Sequence, residues 1–152
     1  SWNSASAANG AHTLTARARD AAGNQTTSAA VSVTVSNAAP DTTPPTVTAT
    51  SPASGVIGVS RTANITATFS EAMAAATINT GTVELRDASG TLVPAVMTYS
   101  TANRRATLNP TPTLNALAIY TVTVKGGAAD PRVKDVAGNA LATSAIWSFT
   151  TR

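Results

Sequence analysis

At 152 residues the chain has room for one large domain, or for one ordinary domain and part of another. Its 43% hydrophobic, 11% charged and 4% aromatic composition rests mostly on Ala and Val, with Thr and Ser at polar positions, a balance that favours strands over soluble helices. A net charge of +3 with no basic run beyond Arg104-Arg105 excludes a nucleic-acid stripe, the lack of cysteine excludes disulfides and thiolate ligands, and no apolar run reaches the roughly 18 residues of a membrane helix.

His12 to Arg19 alternates, with Leu14, Ala16 and Ala18 on one face and Thr13, Thr15, Arg17 and Arg19 on the other, the pattern of a half-buried strand. A turn at Asp20-Ala21-Ala22-Gly23-Asn24 leads to a second alternation, Val31, Val33 and Val35 against Ser32, Thr34 and Ser36. Residues 1–37 therefore read as a strand, loop, strand unit. Its abrupt beginning at Ser1-Trp2, with no basic-then-apolar signal, reads as an interior cut. Asn37 to Pro45 breaks every period with three prolines in nine residues, so 38–45 is expected to be a semi-rigid linker.

Beyond it, strands are expected near Thr46 to Thr50, Ala63 to Phe69, Thr82 to Arg86, Val93 to Tyr99, Arg105 to Asn109, Ile119 to Lys125 and Ile146 to Thr151. Seven short strands over 46–152 predict an all-β, Ig-like Greek-key sandwich, preceded by a partial Ig-like unit. The period of two turns Ile65, Ala67, Phe69, Val83, Leu85, Tyr120, Val122, Val124, Trp147 and Phe149 inward. Glu71 to Thr77 is the one helix-prone stretch, expected to make about two turns with Ser70 as N-cap. Strand, then Asp-x-Ala-Gly-Asn, then strand occurs twice, at Asp20 to Asn24 and at Asp135 to Asn139. The second copy closes a complete domain, so the first is expected to close a preceding one.

Pro44-Pro45-Thr46-Val47, Ser51-Pro52-Ala53-Ser54-Gly55, Ile65 to Met73 (ITATFSEAM), Tyr120-Thr121-Val122, Asp135 to Asn139 and Trp147 to Thr151 (WSFTT) resemble the SbsA-type Ig-like domain of exported bacterial proteins, over residues 44–152. Through Trp2-Asn3, Asn9-Gly10, His12-Thr13-Leu14 and Asp20 to Asn24, residues 2–37 are similar to the end of an adhesin-type tandem bacterial Ig-like repeat. The resemblance implies spacers, surface-layer subunits, adhesins or accessory modules, outside the cytoplasm. A non-catalytic structural or assembly module is the first expectation, an adhesive or carbohydrate-binding one the alternative. The adhesin-type arrays further imply that a loop Asp and a linker Asp share calcium between neighbours. Here Asp20, Asn24 and Asp41 would supply that site, with Asp130 and Asp135 as a weaker one.

The same loops have a plainer reading, since Asp caps its own turn and Gly and Asn accept positive φ. His12 stands alone without a catalytic partner, and Glu71, Glu84 and Asp87 read as exposed charges. Trp147 and Tyr120 have inward parity, which leaves Trp2 and Tyr99 too sparse for a sugar platform. No cofactor is required by this reading. Two or three strands cannot bury both sheets of a sandwich, so the apolar face and edge of residues 12–36 are expected to meet a neighbouring Ig-like domain or another copy of the chain. Neither nucleic acid nor membrane insertion is expected.

Overall fold

The computed structural model describes residues 2–152 and divides into two compact units, 1–40 and 41–152. In the first, β1 (Gly10–Leu14) pairs with β4 (Val31–Val35), and β2 (Arg17–Arg19) with β3 (Gln25–Thr27), both antiparallel. The four strands form one interrupted hairpin. Ser28 causes the interruption: its hydroxyl accepts from the Ala16 amide while its own amide donates to the Ala16 carbonyl. Asn9 and Asn37 close the open end, the Asn9 amide group donating to the Asn37 carbonyl and accepting from its N–H. Among the described residues of this unit only Val35 is buried, while Leu14 and Val31 remain 39% and 59% exposed, as follows when two short ribbons have no second layer.

The second unit holds β5 (Val47–Ser51), β6 (Ile65–Phe69), β7 (Val83–Asp87), β8 (Ala95–Ser100), β9 (Arg105–Pro110), β10 (Ile119–Val124) and β11 (Ala145–Thr150). A four-stranded sheet in the order β5-β6-β9-β8 and a three-stranded one in the order β11-β10-β7 account for all seven. Every pairing between these strands is antiparallel. This is the strand order of a constant-type immunoglobulin sandwich, so the fold class expected from the sequence holds.

The core is what the alternation dictates. Ile65, Ala67 and Phe69 of β6 face Val83, Leu85, Tyr120, Val122, Val124, Trp147 and Phe149 of the other sheet, all buried. Loop residues complete it: Ile78, Leu114, Val133 and Leu141 belong to the same cluster. Tyr120 stacks on Phe149 and Phe69 meets the edge of Tyr99. Burial of this kind is the main favourable contribution to folding.

The stretch Glu71 to Thr77 is not an α-helix. A single 3-10 turn at Ala75–Thr77 is all that forms, and Ser70 does not cap it; its hydroxyl instead accepts from the Thr46 amide. Met73 decides the matter: it is buried, bridges Asp135 in antiparallel fashion, and gives its N–H to the Tyr99 hydroxyl. Tertiary pairing overrides an alanine-rich propensity of only a few tenths of a kcal/mol per residue.

Candidate functional site

The two Asp-x-Ala-Gly-Asn loops have one geometry. In the second unit the Asp135 carboxylate accepts from the Asn139 N–H and from its side-chain amide, each at 2.8 Å, and the Asp135 N–H donates to the Asn139 carbonyl at 2.9 Å. In the first unit Asp20 and Asn24 repeat these contacts at 2.8, 2.8 and 3.0 Å. Gly138 and Gly23 sit at φ +98° and +96°, a region open to glycine at no steric cost. The turn chemistry alone accounts for the motif in both places.

Burial separates the copies. Asp20 and Asn24 are exposed, whereas Asp135 is 1% exposed. The Met73 bridge draws Asp135 against the residues that follow β6, which brings Glu71 close. The side-chain amide of Asn139 also donates to the Asp41 carbonyl at 3.0 Å, fixing the chain as it leads into β5. Carboxylate oxygens of Asp41, Glu71 and Asp135 consequently lie within 4.8 Å of one another.

Among the described residues no Lys or Arg forms a salt bridge with any of these three acids. Burial, followed by the charges of Asp41 and Asp135, holds the Glu71 carboxyl above its usual range. For Asp135 burial also pushes upward, but the Asn139 hydrogen bonds outweigh it and keep that carboxyl low. Glu71 is thus the member of the cluster whose charged form the surroundings disfavour. Three convergent carboxylates suit a hard cation such as calcium, which takes six to eight oxygens.

Of the residues singled out in the sequence, Asp41 and Asp135 meet here. Asp20 and Asn24 belong to the first unit. Asp130 is engaged elsewhere, its carboxylate bridging Arg132 at 3.2 Å and Lys134 at 3.1 Å. Glu71 was read only as an exposed charge, and the signal that could have found it is its place in the ITATFSEAM segment, directly after a core strand. Glu84 is also not exposed: it is 9% accessible and bridges Arg86 on its own strand and Lys125, the residue after β10. Burial raises its pKa, and the Lys125 and Arg86 contacts more than offset that, leaving it low. Asp87 serves a turn, accepting from the Ser89 and Thr91 amides. His12 contacts the Ala8 carbonyl and lies 5.6 Å from the Trp2 ring. Tyr99 is spent on Met73. No acid, base and nucleophile converge among these groups.

A family model for bacterial Ig-like domains matches residues 41–151. No curated protein matches the chain. Among solved structures, the chain resembles CopC from Methylosinus trichosporium OB3b with a TM-score of 0.56 and 18% identity, over 70% of this chain and 92% of that one. PcoC, a methionine-rich copper resistance protein from Escherichia coli, follows with a TM-score of 0.53 and 16% identity, over 72% and 100%. The N-terminal part of the bacterial S-layer protein SbsC gives a TM-score of 0.52 and 21% identity, over 72% of this chain and 24% of that one. At these identities the likeness is one of fold. The matched residues make up most of the chain, and the chain belongs to the bacterial Ig-like domain family.

Proposed function

We propose that this bacterial Ig-like protein is a non-catalytic spacer that works outside the cytoplasm, transmitting load and setting distance between its neighbours. The observation that carries this reading is the path of the chain through the second unit. Seven strands alternate in direction, so the polypeptide enters beside Asp41, where β6 and β10 end, and leaves after β11 at the opposite end.

A parallel clamp lies on that path. Gly55 to Val59 runs alongside the end of β11, with Gly55 N–H to Ser148 O, Thr150 N–H to Val56 O, Val59 N–H to Thr150 O and Arg152 N–H to Val59 O, all 2.8 to 3.0 Å. Pulling the two ends apart slides these segments past one another, so the four hydrogen bonds resist together instead of opening in turn. The chain has no cysteine, which makes the experiment direct. Single-molecule pulling between cysteines placed at Thr42 and Arg152 is expected to need distinctly more force than pulling between Thr42 and Asn103, both at the same end. Equal forces would defeat the reading.

A hard divalent cation on Asp41, Glu71 and Asp135 forms a second part of the proposal, supported by their convergence and by the lack, among the described residues, of a Lys or Arg salt bridge to them. It would fasten the incoming segment to the loop. The likeness to copper proteins does not extend this way: residues 41–152 contain neither His nor Cys, and of their two methionines Met73 is buried in the core while Met97 packs against it, so no group of soft ligands that would select copper is formed. A sugar platform finds no support either, with Tyr120 and Trp147 inside the sandwich.

A further inference from the structure

The two equivalent loops differ in what they hold. Asn139 gives one amide hydrogen to Asp135 and the other to the Asp41 carbonyl. Asn24 gives one to Asp20 and, among the described residues, has no second acceptor. The first loop is therefore the same clip without the segment that fills the second.

Its surroundings suit such a segment. A shallow groove lined by Ala18, Arg19, Asp20, Asn24, Gln25 and Thr26 lies beside the turn. The Arg19 guanidinium covers Gly23 so closely that a Cβ there would meet it at 3.2 Å, yet no carboxylate salt-bridges Arg19 among the described residues. Residues 1–40 carry Arg17 and Arg19 against Asp20 alone, a net +1. The second loop holds the Asp41 carbonyl, and the sequence around it, Pro40-Asp41-Thr42-Thr43-Pro44-Pro45, carries a single negative charge and three prolines. Prolines hold a chain extended beforehand, so little entropy is lost on docking.

We propose that the Asp20–Asn24 loop and its groove are a docking site for an extended Pro-Asp-Thr-Thr-Pro-Pro segment. The carbonyl of the segment's Asp accepts from the free Asn24 amide hydrogen, and its carboxylate faces Arg19. This goes beyond the spacer reading by naming the partner chemistry at the first unit, and it does not depend on a cation.

The test is a titration of the labelled full chain, in chelator, with a blocked synthetic peptide of residues 39–48, followed by amide NMR. Saturable shifts are expected at Arg19, Gly23, Asn24 and the Asn24 side chain. Arg19→Gln, which leaves the loop hydrogen bonds in place, should weaken binding about threefold, in keeping with one exposed ion pair. Asn24→Ala should abolish it, with the signals of β1 and β4 in the same unit serving as the check on its folding. No shift up to about 5 mM peptide, equal shifts with a scrambled peptide, or unchanged affinity in both variants would overturn the assignment. Because chelator is present throughout, failure here leaves the cation proposal standing, and its failure leaves this one.

Discussion

Asp20→Ala and Asp135→Ala make the same deletion in two loops with matching hydrogen bonds, and they should differ sharply in cost. Removing Asp135 strands the Asn139 N–H and one side-chain amide hydrogen in a half-buried place. Each buried donor left without an acceptor costs about 1–3 kcal/mol. Relief of the repulsion with Glu71 offsets a little of this, so a loss of about 3 kcal/mol is expected. Removing Asp20 exposes the same donors to water, which takes over as acceptor, and the loss should stay under about 1 kcal/mol. Each unit carries one tryptophan, Trp2 in the first and Trp147 in the second. Urea titration of 5-fluorotryptophan-labelled chain by fluorine NMR, in chelator, therefore reads both transitions at once. The Trp147 midpoint should fall by about 1–2 M in Asp135→Ala, and the Trp2 midpoint should barely move in Asp20→Ala. Equal shifts in the two variants would refute the argument that burial, not the motif, sets the energy.

The acid cluster predicts a reversal with Glu71→Gln. Glu71 has a raised pKa in the fold, so the folded chain holds that proton more tightly than the unfolded one. The corresponding stability is present at low pH and is lost as pH rises from below 4.5 through the raised value. Thermal melts in chelator should show Glu71→Gln more stable than wild type at pH 7. Millimolar calcium should raise the wild-type Tm and leave the variant where it was; a wild-type Tm that ignores calcium would remove the cation from the account. Glu84 behaves in the opposite sense, because Lys125 and Arg86 hold its pKa low. Its contribution is present at neutral pH and is lost as pH falls below 4.5. Glu84→Gln should cost about 1–2 kcal/mol at pH 7 and flatten that part of the acid profile, measured by urea unfolding at pH 7 and pH 3.

The alternation of Ile65 to Phe69 or Ile119 to Val124 is legible because a strand buried on one face must repeat every second residue. The repeated Asp-x-Ala-Gly-Asn was legible for a similar reason: glycine and two short polar side chains specify a turn locally. What stayed hidden depends on partners distant in the chain. Ile78, Leu114, Val133 and Leu141 are buried by the packing of loops, which no period announces. Glu71 to Thr77 has a helical composition and a different conformation because Met73 has somewhere better to be. The clamp of Gly55 to Val59 shows no alternation, with Gly55 and Gly58 both at positive φ. The cluster of Asp41, Glu71 and Asp135 joins residues as far as 94 positions apart (135 − 41), a proximity that only the closed sandwich creates.

Small-angle X-ray scattering on three copies of residues 41–152 joined end to end tests the spacer claim most directly. A 112-residue unit has a radius of gyration of about 13 Å, hence a diameter of about 34 Å, and three in series should reach roughly 100 Å. A maximum dimension near that length, unchanged by dilution, is the predicted result. A value of about 50 Å, that of one compact body of the same mass, would contradict it.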